Sequence, residues 1–278
     1  MYSGLSIDKK ILCSTGPFTG RINGRNHRLL LEYADKLDCD GFEVLVFDDW
    51  YDRLGRITRD YRAAGAVCPV VHADKQIGTL MCKSAGECTG EYLDLWRMNC
   101  YLAVSIGAQK IVVHAWGPPD SNKYKELVFE RCGELLRVAK DYKLDMVVEN
   151  IPCYYGSPLG HLEQLAGVYP EMGFTIDTRM AQFHSEIEKV CNSPLLASGR
   201  ARHMHISDYA GGHMDWDALM RILQPGKGDV DFDMLFARVG EIEYSGTLSL
   251  ESLSVHREQG VNVEKSNECL RFIKIGLK

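Results

Sequence analysis

Short apolar runs and longer amphipathic stretches alternate along this chain from end to end. The runs at 10–14, 41–47, 68–73, 110–114, 144–149, 173–177, 203–207 and 247–251 have the length and composition of β-strands. The stretches at 26–37, 53–64, 90–106, 124–142, 161–169, 180–191, 217–222 with 232–242, and 263–275 predict helices. Between 124 and 142, Leu127, Val128, Leu135, Leu136, Val138 and Ala139 fall largely on one side, the stripe of a helix that packs on a core. Eight such units in a row predict parallel strands covered by helices, and hence a single α/β domain over residues 1–278, a (β/α)8 TIM barrel. A doubly wound open sheet competes. It loses ground because Thr15-Gly16-Pro17-Phe18-Thr19-Gly20, after the first run, lacks the glycine fingerprint of a dinucleotide site.

Within the later runs the polar positions keep to one face. Val147 and Glu149 oppose Met146 and Val148; Thr175 and Asp177 oppose Phe174 and Ile176. His203, His205 and Ser207 oppose Met204 and Ile206; Ser249 and Glu251 oppose Leu248 and Leu250. The larger apolar face suits packing under helices, so the polar face points into the barrel and ends at its C-terminal mouth. Four runs finish there on a metal-type ligand, Glu149, Asp177, His205 and Glu251, at intervals of 28, 28 and 46 residues. Two Glu, one Asp and one His form a hard, oxygen-rich set for one divalent cation (Mn, Mg, Co or Zn), with coordination positions left for a substrate. The competing explanation is a set of buried ion pairs with arginines such as Arg179 or Arg202.

Composition narrows the partners. With 278 residues, 45% hydrophobic and 25% charged, the chain is an ordinary globular sequence of one barrel's length. Its net charge of −6 offers no general attraction to nucleic acid or to an acidic membrane surface, so neither partner is expected. No run approaches membrane-spanning length, and Met1-Tyr2-Ser3-Gly4 opens without an apolar signal core. The ten cysteines are scattered without a Cys-x-x-Cys pair, which suggests reduced thiols and a cytoplasmic setting.

The short motifs Val148-Glu149-Asn150, Gly156-Ser157-Pro158-Leu159-Gly160, Ile176-Asp177-Thr178, His205-Ile206-Ser207-Asp208, Pro225-Gly226-Lys227-Gly228-Asp229-Val230-Asp231 and Leu250-Glu251-Ser252 occur in an order and spacing with a precedent. Together they resemble the xylose isomerase-like barrel superfamily, specifically its sugar phosphate isomerase/epimerase group, which is related to endonuclease IV. The resemblance implies that Glu149, Asp177, His205 and Glu251 are a metal quartet, and that Glu149 and Glu251 also shuttle the proton. It matches His72 and His114 to positions that hold additional metals in the endonuclease. Two departures weigh against the nuclease: Met180 stands where a histidine is expected, and Arg221-Ile222-Leu223-Gln224 replaces an Asp-x-His pair before Pro225.

The expected activity is therefore a metal-dependent isomerase or epimerase of a small sugar, sugar phosphate or cyclitol, working through an enediolate. A lyase or dehydratase using the same centre, and an endonuclease IV-like phosphodiesterase, are the alternatives. His72, His114, Trp116, Arg179, His184 and Lys227 are candidate substrate-binding residues, because each lies near the end of a run or in the segment after it. Barrels of this kind often assemble as homo-oligomers, which is a further expectation.

Overall fold

A computed structural model of the chain describes residues 10–83, 90–252, 255–256 and 260–278. Met1–Gly4 and Cys88 lie outside the described residues. Eight parallel strands close into a barrel: β1 (Ile11–Ser14), β2 (Gly41–Leu45), β3 (Val70–His72), β4 (Lys110–His114), β5 (Asp145–Glu149), β6 (Gly173–Asp177), β7 (Ala201–Ile206) and β8 (Thr247–Leu250). The ring closes where Ile11 of β1 pairs with Leu248 of β8. Each expected strand is present within a residue or two, and one closed barrel accounts for all eight.

The helices follow the expected stripes. The helix Lys125–Asp141 buries Val128, Cys132, Leu135, Leu136 and Ala139 against the sheet. The stretch expected at 180–191 is broken into Thr178–Phe183 and Ile187–Asn192, because Ser185 adopts a left-handed φ of 55° between them. Helix Gln76–Met81 is an addition that sequence periodicity does not reveal. Among the described residues no helix is long and apolar enough to cross a membrane, and the nine described cysteines are free thiols.

Strand alternation sorts the core into two parts. Met146, Val148, Phe174, Ile176, Met204, Ile206, Leu248 and Leu250 belong to the main cluster under the helices. Leu12, Val70, Val112 and Val147 form a separate cluster in which every member is buried, as expected for a plug of side chains inside the barrel. Towards the mouth the interior turns polar, with Glu43, His72, Glu149, Thr175, Asp177, His203, His205, Ser207 and Ser249 all buried. Such a polar interior needs internal partners, since bulk water cannot supply them.

Candidate metal centre

Strand register brings the four candidate ligands together. His114 pairs with Glu149 across β4 and β5, and Asp177 pairs with His205 across β6 and β7. One extra residue, Arg202, enters β7 where the register shifts: Phe174 pairs with Ala201, but Thr175 pairs with His203. Donor atoms of Glu149, Asp177, His205 and Glu251 all lie within 4.8 Å of one another. His205 Nδ1 is 3.1 Å from Glu149 Oε1, 3.4 Å from Glu251 Oε2 and 4.0 Å from Asp177 Oδ2. The motif residues beside the ligands brace this convergence. Asn150 accepts the Asp177 backbone N–H at 2.6 Å and donates to its carbonyl at 3.2 Å. Thr178 Oγ1 sits 2.6 Å from the Ser207 carbonyl and accepts the Ser207 N–H.

Asp177 shows whether a cation fits. Its Oδ1 caps the following helix by accepting the Met180 N–H at 2.9 Å. Its Oδ2 is buried and has no hydrogen-bond partner. Burial pushes this carboxyl up to about 6; Glu251 and Glu149 add to the effect, against Arg179 and His205. Three carboxylates facing one imidazole, with an orphaned oxygen aimed at the same point, is an arrangement that a divalent cation completes.

Histidines make the close contacts to Glu149. Glu149 Oε2 lies 3.1 Å from His72 Nε2 and 2.9 Å from His114 Nε2. Burial works to raise the Glu149 carboxyl, but His205 and His114 outweigh it and hold it well below the usual range. Burial lowers His114 to about 4, against the pull of Glu149. His205 is held well above the ordinary imidazole range: burial opposes its charge, and Glu43, Glu251 and Glu149 overcome that. Arg202 instead pairs with Asp145, and Arg179 donates to the Leu219 carbonyl at 2.9 Å. Among the described residues neither arginine forms an ion pair with the quartet, and only the charge of Arg179 reaches it, at Asp177.

The candidate substrate-binding residues divide. His72 and His114 reach the centre through Glu149, with their rings 5.0 Å apart. Trp116 and His184 are committed to the loop after β5. The fully buried Trp116 donates from Nε1 to the Pro152 carbonyl at 3.0 Å, and His184 Nε2 accepts the Cys153 N–H at 3.3 Å. Their nearness to a strand end has a packing cause. Lys227 is exposed, in a loop drawn in by Asp208, whose carboxylate accepts N–H groups from Tyr209, Lys227, Gly228 and Val230. A Cβ at Gly228 would stand 2.5 Å from the Tyr209 carbonyl oxygen, so the Gly-Lys-Gly segment is a tight connector.

Sequence reasoning passes over Glu43, which is fully buried on β2 and touches His203 and His205 at 3.2 and 2.9 Å. A signal was present: in the run 41–47, Glu43 alternates with Phe42 and Val44, and so faces the barrel interior.

A family model described as a xylose isomerase-like TIM barrel matches residues 31–273. No curated protein matches the chain in sequence. Among solved structures, 3-keto-D-glucoside 4-epimerase YcjR from E. coli is similar with a TM-score of 0.70 and 15% identity, covering 96% of this chain and 100% of that one. D-allulose 3-epimerase from Methylomonas sp. in complex with D-allulose gives a TM-score of 0.71 at 14% identity, over 96% of each chain. The IolI protein with bound zinc gives 0.69 at 15%, again over 96% of each. At these identities the likeness is one of fold.

Proposed function

The chain belongs to the xylose isomerase-like TIM barrel family, and on that premise we propose that it is a divalent-metal-dependent isomerase or epimerase of a small sugar, sugar phosphate or cyclitol. The observation that carries this reading is the convergence of Glu149, Asp177, His205 and Glu251, with Asp177 Oδ2 buried and unpartnered among them. These four residues would hold the ion. A divalent cation, when bound there, supplies positive charge that stabilises the negative charge developing on the substrate's carbonyl oxygen.

The chain's own residues do the rest. Glu251 is the less enclosed glutamate, its side chain 14% exposed against 2% for Glu149. We assign it removal of the proton from the carbon beside the carbonyl, and Glu149 the return of a proton that it takes up from one of the imidazoles hydrogen-bonded to it. Return to the opposite face of the same carbon is epimerisation; return to the neighbouring carbon is isomerisation. Departure of a β-hydroxyl instead makes the same start a dehydration. His114, partly exposed and hydrogen-bonded to Glu149, is our candidate for a substrate hydroxyl, and Arg179 for a peripheral anionic group. The D-allulose complex of a structurally similar epimerase supports a sugar as ligand.

One observation favours a second reading. His72, His114 and Glu149 form another group able to hold an ion. His72 Nδ1 lies 2.8 Å from the Ala73 carbonyl oxygen and its Nε2 3.1 Å from Glu149 Oε2, so the nitrogen on the Glu149 side is the one that a cation would have to take over. A second cation there would shift the reading towards a multi-metal phosphodiesterase.

Metal content per chain decides between them, followed by a sugar panel assayed for solvent deuterium incorporation. One equivalent, with exchange at the carbon beside a carbonyl, supports the isomerase or epimerase. Two or three equivalents favour the phosphodiesterase. No metal after reconstitution with Mn, Co or Zn sinks both.

A further inference from the structure

We infer that Glu43 is a positioning residue for the centre: it fixes the His205 ring so that Nδ1, and no other nitrogen, is presented to the metal ligands. The inference rests on the metal-site reading proposed above. Glu43 sits on β2, reaches across the barrel interior to β7, and is fully buried. Its Oε1 meets His205 Nε2 at 2.9 Å, and its Oε2 meets His203 Nε2 at 3.2 Å. A carboxylate only accepts, so Nε2 of His205 must present its N–H there. Nδ1 is then the nitrogen that faces Glu149, Glu251 and Asp177; it hydrogen-bonds Glu149 Oε1 at 3.1 Å, and on giving up that proton it offers its lone pair to a cation.

The carboxylate is itself held. His203 Nδ1 lies 2.6 Å from Thr247 Oγ1, which in turn accepts from Lys110 Nζ at 3.1 Å. The His203 and His205 rings meet edge to face at 5.0 Å. Neither ring can turn over without breaking a bond to Glu43. A continuous line of hydrogen bonds thus runs from Lys110, near the start of β4, through Thr247, His203 and Glu43 to His205 at the mouth.

The same three residues, Glu43, His203 and His205, have donor atoms close enough to hold an ion of their own. Hydrogen bonding already accounts for both oxygens of Glu43 and for both nitrogens of His203, so this trio needs no cation. Asp177 Oδ2, by contrast, is left without a partner. The chemistry matches the general rule that a ligating histidine gives its other N–H to a carboxylate, which orients the ring and strengthens it as a donor.

The test is Co²⁺ affinity of the full chain after chelator stripping, measured by competition with a chromophoric chelator at fixed pH. Near-ultraviolet circular dichroism checks the fold, and the visible Co²⁺ spectrum reports ligand geometry. Glu43→Gln keeps the volume and an acceptor for His205, and is expected to bind Co²⁺ about tenfold more weakly; Glu43→Ala is expected to lose about 100-fold and to change the spectrum. If Glu43→Ala does not fold, Glu43→Gln carries the test. Folded variants that bind within twofold of wild type, with an unchanged spectrum, overturn the role of Glu43 alone. Wild-type protein that binds no Co²⁺ overturns the proposed function and this inference together.

Discussion

The two ends of the barrel both carry charge, half-buried at one and buried at the other, and they treat it in opposite ways. At the N-terminal end Arg202, Asp145 and Lys110 all meet partners within the fold. Arg202 pairs with Asp145 at 2.5 Å and also donates to the Glu171 carbonyl. Lys110 donates to the Arg202 carbonyl and to Thr247, and burial pushes it down to about 8. At the mouth, three carboxylates crowd one imidazole, and one oxygen is left with no partner. The first arrangement is finished by the fold itself; the second, on the proposed reading, is finished by a divalent cation. Charge balance, more than the amount of charge, separates a face that stabilises from a face that works.

The sharpest way to break this contrast is at Glu251. Glu251→Gln should lower turnover by about 10²–10⁴-fold at saturating metal. Solvent deuterium exchange on an accepted sugar reads it, and a loss under tenfold would remove Glu251 from proton transfer.

Asp177→Asn comes next. It should weaken metal binding by at least about 100-fold while the metal-free protein melts about 2–4 °C higher, because an ionised carboxylate among like charges destabilises the empty fold. Asparagine still caps the helix, so a lower melting temperature would mean that the crowding is not strained.

Acid tests the mouth as a whole. Asp177 titrates near 6, above its ordinary 3.8, so protons compete with the metal and affinity should fall as pH drops through about 6. Stability of the metal-free protein has its own sign. The raised carboxyl of Asp177 is relieved as pH falls. His114, His184 and His203 are all lowered by burial from 6.5 to about 4, so their contribution is full above 6.5 and is lost as pH falls towards 4. Three groups outweigh one, and the metal-free melting temperature should drop across that window. A flat profile would contradict neutral histidines inside the barrel.

The smallest effect belongs to the other end. Asp145→Asn breaks a pair whose side chains are about a third exposed, and should cost about 0.5–1 kcal/mol without changing metal affinity. Weakened metal binding there would show that the two ends are coupled.

The strands and the quartet were legible because both depend on local periodicity. A parallel barrel strand alternates between a helix-facing and an interior side, so a ligand at a strand end announces its direction. Trp116 and His184 were harder, since nearness to the mouth does not say whether a side chain turns to the cavity or to the loop beneath it. Glu43 was harder still. A single carboxylate in a short run carries no sign of partners 160 and 162 residues away.

The order of strands, their faces and the four polar residues that converge at the mouth follow from the sequence alone, because hydrophobic alternation and residue chemistry act over a few positions. Tertiary structure alone decided which histidine serves which carboxylate. It also decided that Asp177 keeps an oxygen free and that β2 supplies the support for His205. Those facts depend on barrel closure and on the one-residue shift at Arg202, which set distances between strands far apart in the chain.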